Sequence, residues 1–215
     1  MTILGFGLSI ALAAAPAHAI VLPGWATPLG WSLADMAEAV ANFSISGNNL
    51  MYYPSTPFQI IYRQPGSGCN LGNPGSCIGN SFTVHPGTYL YVKFFFIDDS
   101  PPVIGTFPTD QAGAQNYMFA ADQLGGHDLH IIIDGAVTTL GPAYVPAPVP
   151  IPAQPFGPGT AYDGTNLIQM GAFVTPLSRG HHTITIDGDF DGQLILDTFG
   201  GPVHFQINYT VDVVP

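Results

Sequence analysis

The sequence predicts an all-β fold, an antiparallel β-sandwich or jelly roll with one short N-terminal helix, and three observations carry that reading. Residues 203–213 alternate without a fault, with Val203, Phe205, Ile207, Tyr209, Val211 and Val213 on one face and His204, Gln206, Asn208, Thr210 and Asp212 on the other. That is the period of a strand with one buried and one wet side. Other short apolar runs are separated by turn signals at Pro86-Gly87, Asp98-Asp99-Ser100-Pro101-Pro102, Asp134-Gly135, Asp187-Gly188 and Gly200-Gly201-Pro202. Helical spacing shows at Leu33, Met36, Ala37 and Val40, and after it nearly everything has strand character.

Residues 1–19 read as a secretory signal peptide. The apolar stretch Ile3 to Ala15 is too short to span a bilayer and is followed by small residues suited to signal peptidase. No Lys or Arg precedes that stretch, which leaves room for a start codon upstream of Met1. Cleavage fits two places, after Ala17-His18-Ala19, leaving Ile20 first, and after Ala15-Pro16-Ala17, leaving His18 first. The second cut would free an amine beside an imidazole, a copper-chelating pair like that of secreted polysaccharide mono-oxygenases. No later segment approaches about 18 consecutive apolar residues, so no membrane span is expected.

Residues 20–215 are expected to form a single β-sandwich domain. Ser32 with Asp35 three residues on forms a variant capping box, giving a helix over about 32–42. Phe58, Ile60 and Tyr62 suggest a further strand. Tyr89 to Ile97 is apolar on both faces, as for a strand inside a sandwich or under the helix. Residues 142–159, with Pro at 146, 148, 150 and 152, are expected to cross the surface as extended chain that no central strand could take in. Thr183-Ile184-Thr185-Ile186 repeats the alternating pattern of the last strand.

Fourteen acidic residues stand against three basic ones, Arg63, Lys93 and Arg179, for a formal net charge of −11. So few cations cannot neutralise phosphates, which argues against nucleic acid and anionic membrane surfaces as partners. Only 8% of residues are charged, so the acidity reflects scarce Lys and Arg rather than abundant acid. Cys69 and Cys77 bracket a Gly- and Pro-rich segment, and in an oxidising compartment a disulfide between them is expected to tie down a loop tip.

The sharpest chemical signal is Asp187-Gly188-Asp189-Phe190-Asp191-Gly192. Carboxylates at positions 1, 3 and 5 of a loop with Gly at 6 make the oxygen-rich set that calcium selects, so Asp187, Asp189 and Asp191 are the candidate metal ligands. An EF-hand would carry Glu at position 12, where Thr198 stands, and the flanks read as strands; the alternative is a polar turn. His127 and His130 are three apart and His181 and His182 adjacent, spacings that in a regular strand point to opposite faces, so neither pair alone chelates a metal. Tyr52, Tyr53, Phe58 and Tyr62 suit either a core or a sugar-stacking face.

The segments Phe82 to Val92, Ile133-Asp134-Gly135, Pro176-Leu177-Ser178-Arg179-Gly180-His181-His182-Thr183-Ile184 and Asn208-Tyr209-Thr210-Val211 together resemble a family of uncharacterised bacterial secreted β-rich proteins. The Pro-Leu-Ser-x-Gly-x-His-Thr-Ile segment is the distinctive part, and the resemblance covers the C-terminal two thirds. The N-terminal part departs from it in lacking a Trp-rich helix. The resemblance implies an exported β-rich architecture and no particular activity.

The leading expectation is a secreted or surface-exposed, non-enzymatic module, extracellular or periplasmic. It would bind an unknown extracellular ligand or associate with itself, and calcium would steady it. The alternative is an extracellular polysaccharide-active enzyme, a hydrolase or copper oxidase, with its site among the histidines and aspartates. The chain holds a single Glu, Glu38, on the expected helix, and no nucleophile elbow, zinc-protease or phosphate-loop motif.

Overall fold

A computed structural model describes residues 19–63, 77–100, 103–151 and 164–215. Cys69 and residues 1–18 lie outside them, so the expected disulfide with Cys77, the cleavage point after Ala17 and His18, the expected copper chelator, do too. The chain is mostly β, with two sheets and three α-helices among the described residues.

Helix α1 (Leu33–Ile45) begins where the capping box predicts. The Asp35 amide donates to Ser32 Oγ at 3.2 Å and the Ser32 amide to Asp35 Oδ2 at 2.7 Å. It runs past the expected end because Phe43 and Ile45 continue its apolar stripe, and it closes on Gly47 and Asn48, both at positive φ.

The first sheet holds β1 (Gln59–Ile61), β3 (Leu90–Asp98), β7 (Asn166–Val174) and β6 (Val149–Pro150) in that spatial order. The second holds β2 (Cys77–Val84), β9 (Val203–Val213), β8 (Gly180–Phe190), β4 (Gly126–Ile133) and β5 (Ala136–Thr139). Two pairings depart from the antiparallel expectation, since β1 runs parallel to β3 and β2 parallel to β9. Alternation reports which face is buried and is silent on strand direction.

One core takes in Leu90, Val92 and Phe94 of the first sheet and Ile184, Ile186 and Val211 of the second. Phe94 meets Phe205 edge-on at 5.4 Å between centroids, and Phe95 meets Phe190 at 4.6 Å. On the other side of the first sheet, Met36, Val40 and Phe43 of α1 pack on Ile60, Tyr91 and Phe173. β3 and β7 are therefore covered on both faces, which explains their continuous apolar runs. Phe58, buried in this helix-side cluster, has the core role rather than the sugar-stacking one.

Two further helices, α2 (Gln111–Phe119) and α3 (Gln193–Phe199), correct the expectation of one. Helix α2 has little amphipathic pattern and contains Gly113, yet Asp110 caps it by accepting from the Gly113 amide at 2.7 Å. Helix α3 is one short apolar run closed by Gly200 in the left-handed conformation, and such a run does not distinguish helix from strand.

Asp187-Gly188 is not a turn, because β8 continues through both residues to Phe190. Gly188 is needed for packing, since a Cβ there would lie 2.6 Å from Leu129 Cδ2. Asp134-Gly135 does turn the chain, between β4 and β5. Val149-Pro150 pairs at the edge of the first sheet, where proline's missing N–H costs nothing, and residues 152–163 lie outside the described chain.

Candidate functional site

The outward face of the second sheet is a polar lattice. The register sets Asp189 of β8 between His127 of β4 and His204 of β9, and Asp187 between His130 and Gln206. Thr185 and Asn208 follow, joined at 2.6 Å, and Thr210 donates to Ser81 of β2 at 2.7 Å.

His127 and His130 were expected on opposite faces, but a β-bulge puts both on the outer one. The pairing slips between them, with Asp128 and Leu129 opposite Gly188 alone and Asp128 at φ 48°. Leu129 fills the space over Gly188, so the bulge and that glycine belong together. A bulge changes the period locally, and nothing in the residues 127–130 announces it.

Around this bulge His127 Nδ1 lies 3.2 Å from Asp128 Oδ2, and its Nε2 3.2 Å from Asp191 Oδ2. Partial burial disfavours the His127 imidazolium, but the hydrogen bonds to Asp128 and Asp191 outweigh it and raise its pKa. His204 Nδ1 meets Asp189 Oδ1 at 2.8 Å, and its Nε2 lies 3.5 Å from Asp187 Oδ1. One donor atom each from His127, Asp128 and Asp189 falls within 4.8 Å of the others. The three expected ligands thus do not form a loop: Asp187 and Asp189 share one face of a strand, and Asp191 follows its end. What the face offers a cation is a mixed set of imidazole nitrogen and carboxylate oxygen.

The other histidines and aspartates lie elsewhere. His182 Nδ1 meets Asp134 Oδ2 at 2.6 Å and its Nε2 lies 2.9 Å from the Ser178 carbonyl, which pins the β4–β5 turn to β8. It stands seven residues along β8 from Asp189, roughly 23 Å at strand rise. Burial works against the His182 charge, but the Asp134 and Ser178 contacts prevail and raise its pKa; Asp134 is lowered in turn by His182 and the Thr183 amide against its own burial. Asp99 accepts from both Thr165 and Asn166, so the Asp98-Asp99 stretch, expected as a turn, instead closes β3 at Asp98 and fastens its end to the start of β7.

A second site lies where the sequence drew no attention. Strand β1 ends opposite Val92, and β2 follows β9 only from Ile207 onward. Beyond those points, among the described residues, one edge of β3 and one edge of β9 have no strand partner. The seam between the sheets opens there into a cavity of about 360 Å³, the size of a small-ligand site. Its apolar walls include Phe94, Phe95, Ile186, Phe205 and Ile207, and none of its described lining residues is acidic.

Two of the chain's three basic residues, Lys93 and Arg63, line this cavity. Lys93 is 7% exposed, and its Nζ donates to Asn48 Oδ1 while lying 4.8 Å from the centroid of Phe43 and 5.6 Å from that of Phe96. Asn48 Nδ2 donates onward to the Arg63 carbonyl at 2.9 Å. Burial, then the neighbouring Arg63 charge, pull the Lys93 ammonium from its usual 10.5 down to about 7. A second bulge shapes the floor: the register slips between Lys93 and Phe95, and buried Gln169 donates to the Phe95 carbonyl at 2.9 Å. The signal available in sequence was a single lysine inside Leu90-Tyr91-Val92-Lys93-Phe94-Phe95-Phe96, in a chain almost without cations.

Comparison with protein-family models, with curated proteins and with solved structures finds no match to this chain.

Proposed function

We propose that the chain is an exported, non-enzymatic binding module, a β-sandwich that holds a small molecule in the open seam between its sheets. The observation that carries this reading is the 360 Å³ cavity with Lys93 buried in its wall. A cleft lined mainly by apolar and aromatic side chains with a few placed polar groups is the usual form of a ligand site. Export rests on residues 1–19 and on the resemblance carried by residues 176–184, and it places the module outside the cell or in the periplasm.

The outer face has a supporting role in this proposal. A divalent cation at Asp189, with Asp187 and Asp191 on either side and His127 and His204 within reach, would relieve the crowding of carboxylates there. A fragment screen followed by amide chemical shifts tests the binding function. Perturbations gathered on Gly47, Asn48, residues 93–96 and Ile207 are the expected result. Fragments that bind nowhere, or only at the outer face, overturn it.

A further inference from the structure

The seam cavity has a polarity that names its ligand. Its charged lining groups are both cations, in a protein of net charge −11. Burying an ammonium in an apolar wall is unfavourable unless something compensates it.

Lys93 has three N–H donors and, among the described residues, a single hydrogen-bond acceptor, Asn48 Oδ1. The rings of Phe43 and Phe96 hold the charge only weakly. Tyr62 and Tyr209, the remaining titratable lining groups, supply hydroxyls and no negative charge at neutral pH. Gln169 is already committed to the Phe95 and Met170 carbonyls and to Ser44. The cation therefore faces a space whose remaining walls are mainly aromatic and aliphatic, with no carboxylate among the described lining residues.

Resting on the binding function proposed above, we infer that the cavity takes an amphipathic monocarboxylate, its headgroup accepting from Lys93 Nζ and its apolar tail lying between Phe94, Phe95, Phe205 and Ile207. An arriving carboxylate supplies the negative partner that no described residue gives Lys93, and charge-assisted hydrogen bonds are the stronger kind. The ammonium, pulled down to about 7 by burial and by Arg63, is restored to its charged form by that partner. The edges of β3 and β9 that have no strand partner among the described residues give the tail its way in between the sheets.

Dodecanoate, dodecanol and dodecyltrimethylammonium, titrated below their micelle-forming concentrations into the full chain by calorimetry at pH 6.5, test this. The expected order puts dodecanoate first by roughly ten- to hundred-fold over dodecanol, the worth of hydrogen bonds to a charged group. The trimethylammonium compound is expected to bind weakest. Lys93→Met should erase the preference for dodecanoate over dodecanol; should that variant fail to fold, the headgroup order in the natural chain decides alone. Equal affinity of dodecanoate and dodecanol overturns the carboxylate and leaves the binding function standing. No binding of any of the three, while fragments still perturb residues 93–96, also overturns the inference alone. Silence of both experiments overturns both.

Discussion

Lys93 of β3 donates to Asn48, the residue that ends helix α1 in a left-handed turn at φ 65°. The contact ties the helix to the mouth of the seam, and its charge makes it sensitive to pH. Lys93 is depressed to about 7 when folded and sits near 10.5 when unfolded. Between those values the unfolded chain binds more protons, so stability rises with pH from about 7 and is flat below it. The slope from this group is at most about 1.4 kcal/mol per pH unit. Urea unfolding at pH 6, 7, 8 and 9 should show that rise in the natural chain and its absence in Lys93→Met.

The His182–Asp134 pair predicts the opposite limb. His182 is raised above its usual 6.5, so its contribution is full below that value and is lost as pH climbs through the folded pKa. Asp134 is lowered beneath 3.8, so its share is present above that value and is lost as pH falls through its folded pKa. Between about pH 4 and 6.5 the pair works at full strength. His182→Gln should lower stability there by about 1 kcal/mol, a figure held down because Asp134 is 43% exposed. The loss should shrink at pH 8, and thermal melts at the two pH values check it.

Much of this was legible in the sequence. The alternation of residues 203–213 fixed β9, the capping box fixed the start of α1, and the doubly apolar run at 89–97 meant a strand covered on both faces. The two bulges were not, because a bulge is set by the partner strand: Gly188 opposite Leu129 in one case, Gly171 and Met170 opposite residues 93–95 in the other. For the same reason the aspartates 187, 189 and 191 looked like a loop. Only the pairing shows them interleaved with histidines from two other strands. The seam cavity depends on where β1 and β2 stop pairing, which is likewise a tertiary fact.

That interleaving predicts which metal acts on the outer face. With imidazoles among the donors, Zn²⁺ should stabilise the fold by about 2.7 kcal/mol over the metal-free chain at a hundred-fold excess over its Kd, and Ca²⁺ at the same concentration by less. Differential scanning fluorimetry should show the shift diminished in His204→Ala and abolished in Asp189→Ala. A shift with Ca²⁺ that survives His204→Ala would restore the all-oxygen site that the sequence suggested, and no shift with either ion removes the cation.

Tyr91 is fully buried with its hydroxyl lacking a hydrogen-bond partner among the described residues, pressed toward Gly171 on β7. Burial alone pushes its pKa far up. Tyr91→Phe removes a polar atom and little volume, and should raise stability by about 1 kcal/mol in chemical denaturation. Gly171→Ala should lower it, because the new methyl would stand 2.6 Å from Tyr91 Cζ.

The parallel pairing of β2 with β9 has a consequence for how the chain reaches this state. Ser81 bonds Thr210 across 129 residues, and Ile20 donates to Thr175 across 155. Contacts of that span require large loops to close before they contribute, which makes folding slow. The second sheet cannot be completed until its last strand has been made.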